Sequence, residues 1–296
     1  MAAPLTENVL PLETAKASLS DRAIGAILVD DGKLRVEDAE KVLLLQKEQG
    51  LRFGEAALKL GLITDADLRY ALSKQHDYPY LPPGHDHLGK ELVAAYEPFG
   101  RPVEELRILR TQLLLRWFNA EAGRNMVAIV SPGSGEGRSY LAANLAVIFA
   151  QLGEHTLLID ADLRAPRQHR IFNLEDRSGL SAILSGRGDY SAIAPISALL
   201  GLSVLTAGAV PPNPQELLMR GAFSSLLREA RTRFDVVILD TPASAAYADA
   251  HMIAAQAGGA VVLARKDHTR LREVRDVTSS FGNAGIKIIG TVITAF

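Results

Sequence analysis

The segment at residues 131–140, SPGSGEGRSY, has residue types and a spacing that suit the binding of phosphate groups. Its glycines let successive backbone N–H groups turn toward phosphate oxygens, and a helix starting near Ser139 would add the positive end of its dipole. The Ser139 hydroxyl stands where such loops ligate Mg²⁺, whereas Arg138 occupies the usual lysine position. The predicted phosphate-binding residues are Gly133, Ser134, Gly135, Glu136, Gly137, Arg138, Ser139 and Tyr140. A purely structural glycine turn is the alternative.

Three aspartates end two other apolar runs. Asp160 and Asp162 follow the run LLI, and Asp240 follows VVIL. Two carboxylates at positions i and i+2 of a strand end can face the same site. One of them can then accept a proton while another holds magnesium. The predicted catalytic residues are Arg138, Asp160, Asp162 and Asp240, and the predicted magnesium ligands are Ser139, Asp162 and Asp240. The alternative is that they are solvated loop acids, with Asp162 capping Arg164.

These residues need a scaffold, and after residue 100 short β-branched runs alternate with amphipathic helical patterns. The predicted strands are residues 127–130, 156–160, 202–206, 236–240, 260–264 and 286–293. Most are apolar on both faces, as in a parallel sheet covered by helices on each side. The pattern predicts an α/β fold with a doubly wound, mostly parallel sheet of the P-loop NTPase type, whose sites lie at the carboxyl ends of strands.

The first quarter of the chain contains a repeat with a period of 29 residues. The matching pairs are Gly25 with Gly54, Gly32 with Gly61, and Gln46 with Gln75. Each copy is expected to form a short helix, a glycine break and a longer helix, and Thr64 is suited to cap the last of these. We predict a small helical tandem-repeat domain at residues 1–83, a linker rich in Pro, Gly and His at 84–100, and the P-loop domain at 101–296.

Composition excludes several classes of function. The 296 residues include 32 Lys and Arg against 34 Asp and Glu, a net charge of −2, so binding to DNA is not expected. The absence of cysteine excludes disulfides, thiol catalysis and Cys-based metal sites. The sequence shows neither a signal-peptide pattern nor an apolar run near the roughly 20 residues of a membrane helix. We therefore expect an intracellular soluble protein whose membrane contact comes through a partner.

From about residue 98 onward, the chain resembles the cytoplasmic domain of bacterial tyrosine kinases, which act in exopolysaccharide production. The segments that carry the resemblance are LLIDADLRAP, GLSAILSG, AGAVPPNPQELL and VVILDTP. The resemblance implies ATP and Mg²⁺ as cofactors and transfer of the γ-phosphoryl group to tyrosine. By position, Asp160 would be the base or metal-bound acid beside the tyrosine hydroxyl, and Asp162 and Asp240 would organise Mg²⁺ with Ser139.

The segment EELRILRTQL places Glu104, Arg107 and Arg110 at the spacing of that family's oligomerisation motif. On a helix these residues share nearly one face, as a subunit contact requires; an exposed ion-paired helix is the alternative. The resemblance further implies a self-oligomer that is cytoplasmic and peripheral at the inner membrane. Its implied partner and activator is the cytoplasmic segment of a separate membrane chain-length regulator.

The second repeat, LRFGEAALKLGLITDADLRYALSKQ, resembles the N-terminal domains of type II secretion and pilus ATPases, some of which bind cyclic di-GMP. The candidate cyclic di-GMP residues are Arg52, Gly54, Gly61 and Gln75. The glycines would let backbone approach a base, and Arg52 would stack on guanine or pair with phosphate. A helical docking domain, whose glycines simply end helices, is the alternative.

Three features depart from the kinase pattern. Arg138 replaces lysine, Thr294 stands where the family has an asparagine near the adenine, and no tyrosine follows Tyr247. The alternative phosphorylation sites are Tyr70, Tyr78, Tyr80 and Tyr96. The leading hypothesis is a tyrosine kinase of polysaccharide export. The second is a nucleotide-dependent regulatory switch with little catalysis, and the last is a partitioning ATPase, which would carry lysine where this chain has Gly133.

Overall fold

The computed structural model describes residues 23–75, 81, 87–119 and 121–295. The chain divides into two compact units, Met1–Pro79 and Tyr80–Phe296. Among the described residues, no helix is both long and apolar enough to span a lipid bilayer.

The first unit contains two helix pairs around a small apolar core. Its helices are α1 (Ile24–Asp30), α2 (Val36–Gln49), α3 (Phe53–Lys59) and α4 (Asp65–Gln75). The starts of α3 and α4 follow those of α1 and α2 by 29 residues, the period seen in the sequence. The core consists of Ile27, Leu28, Leu34, Val42, Ala56, Ala57, Ile63 and Ala71.

Local interactions fix the ends of these helices. Gly32 and Gly61 follow the short helices with φ of 68° and 66°, a left-handed conformation that favours glycine. At the start of α4, the Asp67 N–H donates to Thr64 Oγ1 (3.2 Å) and the Thr64 N–H donates to Asp67 Oδ2 (3.0 Å). This reciprocal pair confirms that Thr64 caps α4, and it satisfies two backbone donors that the helix itself leaves unpaired.

The second unit is built on a seven-stranded sheet in the order β3-β4-β2-β5-β1-β6-β7. The strands are β1 (Met126–Val130), β2 (Thr156–Asp160), β3 (Ala194–Pro195), β4 (Leu202–Leu205), β5 (Val236–Asp240), β6 (Gly259–Arg265) and β7 (Lys287–Thr294). All neighbours pair in parallel except β3 with β4. The six predicted strands are confirmed within one residue at each end. Only β3 was missed, because two residues are too short to show a periodic pattern.

Helices cover both faces of this sheet. They are α5 (Val93–Tyr96), α6 (Arg101–Arg116), α7 (Arg138–Ala150), α8 (Gln168–Ile171), α9 (Leu180–Leu184), α10 (Pro214–Leu218), α11 (Gly221–Arg233), α12 (Asp249–Ala257) and α13 (Leu271–Asn283). Successive residues of β1 point to opposite faces. Val127 and Ile129 therefore join one apolar core, while Met126, Ala128 and Val130 join the other. The predicted doubly wound α/β fold is confirmed.

Residues within the segment 84–100, predicted as a linker, pack onto the second unit. Leu92, Ala94 and Ala95 are fully buried. The Ala94 N–H donates to Asn144 Oδ1 on α7 (2.9 Å), and the Gly89 N–H donates to the Ile171 carbonyl (2.8 Å). The described part of this segment therefore contributes to the core that supports α7.

Trp117, the chain's single tryptophan, anchors the end of α6 to β1 and β6. Its indole N–H donates to the Met126 carbonyl (2.7 Å), and a Cβ on Gly259 would lie 2.5 Å from the ring. We expect Gly259→Ala to lower the free energy of unfolding by about 1–3 kcal/mol through overpacking. Urea denaturation followed by tryptophan fluorescence measures it.

The matched control is Gly282→Ala on α13, where a Cβ meets nothing within 4 Å. Alanine there is expected to stabilise by about 0.5–1 kcal/mol, since glycine is the poorer helix former. Equal urea midpoints for the two variants would contradict the packing assigned to Trp117.

Candidate nucleotide and magnesium site

The strand order brings the chemical residues of the second unit to one edge of the sheet. β5 lies between β1 and β2, and β2 pairs with β5 so that Asp160 stands opposite Asp240. Ile129, near the end of β1, also stands opposite Asp240. The loop after β1 therefore begins beside both aspartates, as expected for the carboxyl ends of parallel strands.

The loop after β1 has the backbone of an anion-binding turn. Gly135 and Gly137 adopt left-handed conformations with φ of 73° and 96°. α7 begins at Arg138, directly after Gly137, so its unpaired N–H groups face the end of the sheet. Ser134 and Gly135 are exposed at the tip of the loop, and Ser139 and Tyr140 lie in the first turn of the helix.

The Arg138 side chain is folded into the base of this loop. It is 9% exposed, and its Nε donates to the Thr241 carbonyl at 2.8 Å. Its Nη1 donates to Ser131 Oγ and to the Gly133 carbonyl. Arg138 therefore supplies positive charge beneath the loop, while three of its interactions are made with the protein's own acceptors.

The Glu136 carboxylate already accepts a hydrogen bond from one of the backbone amides predicted to bind phosphate. Glu136 is 1% exposed, and its Oε2 accepts from the Gly133 N–H at 2.7 Å. Its other oxygen accepts from the Thr269 hydroxyl, in the segment before α13. A phosphate that uses the Gly133 amide must displace this carboxylate.

Asp160 is fully buried at the end of β2 and held by the backbone of the loop that follows. Its Oδ2 accepts from the N–H groups of Arg167 (3.0 Å) and Gln168 (2.9 Å), and its Oδ1 accepts from the Asp162 N–H (3.3 Å). Burial, and next the charge of Asp240, raise the pKa of Asp160 well above that of an ordinary carboxyl. A raised pKa suits a group that must take up a proton.

Asp162 turns the chain after β2. Its Oδ1 accepts from the N–H groups of Arg164 (3.1 Å) and Ala165 (2.9 Å), and the residue is 6% exposed. The loop-capping interaction that the sequence allowed as an alternative is therefore present. It occupies one of the two carboxylate oxygens.

Asp240 is fully buried at the end of β5 and only partly satisfied. Its Oδ2 accepts from the Gln168 side-chain amide at 2.8 Å, whereas its buried Oδ1 has no hydrogen-bond partner among the described residues. Burial raises the pKa of Asp240 to about 6, with a smaller contribution from Asp162. The hydrogen bond from Gln168, the neighbouring Ser139 hydroxyl and the charge of Arg138 oppose that rise.

These groups fit Mg²⁺, which prefers oxygen ligands and is usually held by one or two carboxylates together with waters and phosphates. Ser139 offers its hydroxyl beside Asp240, and Asp240 Oδ1 is free of hydrogen bonds from the described residues. Within the described residues, no three His, Cys, Asp or Glu side chains form a metal cage. The arrangement therefore suits a metal that arrives with the phosphates of a nucleotide.

A cleft of about 680 Å³ opens beside the loop, between α6 and the end of β7. Its wall includes Leu106, Leu109, Gly137, Tyr140, Ile293 and Thr294. This volume lies in the range of about 300–1,000 Å³ typical of small-molecule sites. The Thr294 hydroxyl donates to the Glu136 carbonyl (3.0 Å), so the end of β7 is hydrogen-bonded to the loop after β1. An apolar wall beside a phosphate loop suits a nucleobase.

The predicted oligomerisation residues lie on α6, and all three of their side chains make contacts within the same chain. Arg107 forms an ion pair with Glu104, and Arg110 Nη1 donates to the Ile148 carbonyl on α7 at 3.0 Å. The face of α6 that leaves large apolar groups in solvent carries Ile108 and Leu115, which are 63% and 77% exposed. Within the chain, Arg110 therefore also ties α6 to α7.

The candidate cyclic di-GMP residues all lie in the first unit. Arg52 is exposed just before α3, and Gln75 ends α4. Gly54 is buried, and a Cβ there would lie 2.4 Å from the Leu68 side chain. Packing thus accounts for Gly54, which lies inside α3, whereas Gly61 lies in the turn after that helix, where the docking-domain alternative expects a glycine.

The candidate phosphorylation sites differ in their surroundings. Tyr70 is half-buried, and the Tyr96 hydroxyl donates to the Leu88 carbonyl at 2.8 Å. Tyr78 and Tyr80 lie outside the described residues.

Sequence reasoning missed Gln168, which bridges the loop after β1 and the end of β5. Its Nε2 donates to the Ser139 carbonyl (3.1 Å) as well as to Asp240. Gln168 and Asp240 are 72 positions apart in the sequence, so no local sequence pattern predicts their contact.

An unpredicted ion pair holds the loop that contains Asp162. Arg164 binds the fully buried Asp249 through Nε (2.7 Å) and Nη2 (3.2 Å), and its guanidinium stacks on Tyr247 at 3.6 Å from the ring centre. We expect Arg164→Ala to cost about 3 kcal/mol of unfolding free energy, because it leaves a buried carboxylate without its partner. Chemical denaturation measures this loss.

Arg167→Ala provides the matched control for that variant. Arg167 pairs with Glu91 at 2.8 Å, but both side chains are about half exposed, at 50% and 45%. An exposed pair is worth about 0–1 kcal/mol. Equal losses in the two variants would show that burial does not strengthen the pair with Asp249.

Comparison with known proteins gives concordant matches for the second unit. A family model described as ParA, an NUBPL iron-transfer P-loop NTPase, matches residues 123–294. The tyrosine-protein kinase Wzc of Salmonella typhimurium is 34% identical over 205 residues, which is 69% of this chain but only 28% of Wzc. The tyrosine-protein kinase YwqD of Bacillus subtilis is 35% identical over 204 residues, 69% of this chain and 85% of YwqD.

A solved structure agrees with these matches. The kinase domain of the Escherichia coli tyrosine kinase ETK superposes with a TM-score of 0.65 at 32% identity, covering 69% of this chain and 79% of that domain. The aligned part of the chain thus shares both sequence and fold with these kinase domains.

Proposed function

Because the chain belongs to the bacterial tyrosine kinase family, we propose that it transfers the γ-phosphoryl group of Mg²⁺–ATP to tyrosine. The observation that carries this proposal is the register of β2 and β5, which sets Asp160 opposite Asp240 beside the loop after β1. The amides predicted to bind phosphate, two buried carboxylates and a cleft of suitable volume for a nucleobase all lie at this edge of the sheet, which supports the proposal.

Each residue has a role that follows from its surroundings. Ser139 and Asp240, with Asp162 nearby, would hold Mg²⁺, which supplies positive charge to the phosphate oxygens during transfer. Arg138 adds charge from beneath the loop. Asp160, whose pKa is raised by burial, takes the proton from the tyrosine hydroxyl as its oxygen attacks the γ-phosphorus and ADP leaves. Catalysis then rests mainly on positioning and charge neutralisation.

The direct test incubates the purified protein with radiolabelled ATP and Mg²⁺ and analyses the phosphoamino acids formed. We expect phosphotyrosine in the wild-type protein and none in Asp160→Asn, which keeps the shape of the side chain but removes the base. Each protein is assayed with and without the cytoplasmic segment of the proposed activator. Tight nucleotide binding without phosphotyrosine in both conditions would refute the kinase proposal.

A regulatory switch is the second candidate, and the state of the loop favours it. Arg138 makes three hydrogen bonds to acceptors of the protein itself, and the Gly133 N–H donates to Glu136. Because the groups of the loop already bind one another, a bound nucleotide would have to rearrange the loop. Such a loop suits a regulatory switch better than rapid phosphoryl transfer. Nucleotide-dependent assembly in the absence of phosphotyrosine is the result that this candidate predicts.

We extend the proposal to the setting in which the kinase works. By relation to its family, the chain would regulate exopolysaccharide polymerisation or export. It would assemble with copies of itself through Glu104, Arg107 and Arg110, and act in the cytoplasm, held at the inner membrane by a separate membrane chain-length regulator. Sedimentation of the wild-type protein and Arg107→Glu, each with Mg²⁺–ATP, tests the assembly, and equal sizes would contradict it.

For the first unit we retain cyclic di-GMP binding as a proposal. The exposed Arg52 before α3 and the left-handed Gly61 after it support a site around this helix. Calorimetric titration of the full chain tests it, with Arg52→Ala expected to abolish binding and Arg69→Ala, an exposed arginine on α4, expected to retain it. Absence of heat at micromolar ligand in the wild-type protein would end the proposal.

A further inference from the structure

Gln168 connects two residues of the proposed magnesium site, Ser139 and Asp240, with the proposed base, Asp160. Its side-chain Nε2 donates to the Ser139 carbonyl at 3.1 Å and to Asp240 Oδ2 at 2.8 Å. Its backbone N–H donates to Asp160 Oδ2 at 2.9 Å. One fully buried residue at the start of α8 therefore touches the first turn of α7 and the carboxylates that end β2 and β5.

The orientation of the Gln168 amide is fixed by these partners. A carbonyl and a carboxylate oxygen are both acceptors, and the amide nitrogen carries two hydrogens, one for each of them. The reverse orientation would place Oε1 against two other oxygens. Oε1 must therefore occupy the opposite end of the amide, where it can only accept a hydrogen bond.

Two buried oxygens of this pair lack donors. Gln168 Oε1 and Asp240 Oδ1 are both buried without a hydrogen-bond partner among the described residues. Buried acceptors are almost always paired, and an unpaired one is unfavourable. The hydrogen bond from Gln168 Nε2 to Asp240 Oδ2 joins the two side chains, so the two unpaired acceptors belong to one connected pair.

We propose that Gln168 is a positioning residue for the magnesium ion of the nucleotide complex. Through Nε2 it sets the spacing between Ser139 and Asp240, and Oε1 is an acceptor that would be available to a water carried by the metal. The inference rests on the proposed Mg²⁺–ATP site and adds a residue to it. Groups that orient metal ligands in this way change metal affinity by roughly 10–100-fold when removed.

The test measures magnesium affinity separately from nucleotide affinity. The full chain is titrated with a fluorescent ADP analogue in EDTA, and then with Mg²⁺ at a fixed concentration of that analogue. Gln168→Met keeps the length of the side chain but removes both polar ends. We expect its apparent Mg²⁺ affinity to fall about tenfold or more, while its nucleotide affinity in EDTA stays within twofold of the wild-type value.

Gln151→Met is the matched control. Gln151 is also a buried glutamine, and its Nε2 donates to the Ala94 carbonyl at 2.9 Å. It follows the last residue of α7, roughly 18 Å along the helix axis from Ser139. Loss of its hydrogen bond should lower thermal stability and leave the Mg²⁺ titration unchanged.

Three results would overturn the inference. If Gln168→Met binds Mg²⁺ like the wild-type protein, Gln168 does not position the metal, although the proposed kinase function stands. If its nucleotide affinity falls equally in EDTA and in Mg²⁺, the residue serves the fold of the loop alone. If the wild-type protein binds the analogue without any response to Mg²⁺, both the inference and the proposed function fail.

A second variant covers the case in which Gln168→Met does not fold. Gln168→Asn keeps a neutral amide and adds no volume, but its shorter side chain cannot reach both Ser139 and Asp240. The same loss of Mg²⁺ affinity is expected from it. Misfolding of both variants, when Gln151→Met folds, would mark Gln168 as a structural residue and refute its proposed role.

Discussion

Replacing Arg138 by lysine is expected to speed phosphoryl transfer about tenfold or more, which corresponds to roughly 1.4 kcal/mol of the barrier. The arginine fork is held by Thr241, Ser131 and Gly133 beneath the loop. A lysine tip is a compact charge on a flexible stem, and it can follow the phosphate oxygens as they move. Single-turnover phosphorylation by Arg138→Lys and the wild-type protein, each saturated with Mg²⁺–ATP, measures the effect.

Arg138→Ala is the companion variant in that experiment, because it removes the positive charge that Arg138→Lys keeps. It removes both the positive charge and the contacts to Thr241 and Gly133, so we expect weaker nucleotide binding as well as slower transfer. If Arg138→Lys is slower than the wild-type protein while binding nucleotide equally well, the arginine itself is the better catalyst. The contacts that hold the guanidinium would then not limit the rate of phosphoryl transfer.

Asp240→Asn is expected to stabilise the nucleotide-free protein and to abolish its response to magnesium. The raised pKa of Asp240, about 6, means that the fold disfavours the charged carboxylate. At pH 7.5 that charge is present and destabilises the protein, and asparagine removes it without changing the shape. A midpoint increase of a few degrees is expected, since about 1 kcal/mol corresponds to roughly 2–4 °C for a domain of this size.

The pH dependence has opposite signs for folding and for metal binding. The folded-state pKa of Asp240 lies above that of an unfolded carboxyl, 3.8, so the folded protein retains a proton that the unfolded chain has released. The contribution of Asp240 to stability therefore falls as pH rises from about 4 to about 6. Mg²⁺ needs the charged carboxylate, so its affinity rises over the upper part of this window.

Thermal unfolding at pH 5.5 and 7.5, with ADP and with or without Mg²⁺, tests both signs. The wild-type protein should gain more stability from Mg²⁺ at pH 7.5, whereas Asp240→Asn should gain almost none at either pH. Asp235→Asn is the control, because Asp235 is exposed before β5 and accepts from the His155 N–H. A nucleotide-free Asp240→Asn protein that melts below the wild-type protein at pH 7.5 would contradict the electrostatic account.

The placement of unfavourable groups at this edge of the sheet agrees with the proposed magnesium site. The buried carboxylates of Asp160 and Asp240 repel each other, and no described residue donates a hydrogen bond to Asp240 Oδ1. Such groups lower stability in the absence of ligand, and they are retained where a bound cation can compensate them. The same residues that weaken the empty protein are therefore those that would bind Mg²⁺ and nucleotide.

The sequence by itself determined the architecture of the second unit and where its candidate site was predicted. Apolar runs that are buried on both faces predict parallel strands, and the glycine spacing after β1 predicts the loop. Both signals are local, because they depend on the period of the backbone and on the dihedral freedom of glycine. Asp160 and Asp240 follow from the same rule, since each ends an apolar run.

The tertiary structure alone decided what these residues touch. Arg138 binds the Thr241 carbonyl, 103 residues away, and Gln168 joins Asp240 across 72 residues. Hydrogen bonds at such separations depend on strand order and on side-chain packing, and neither leaves a pattern in neighbouring residues. The types of the reacting groups were therefore readable in the sequence. Their burial, their pKa values and the partners that hold them arise only when β1, β2 and β5 lie side by side.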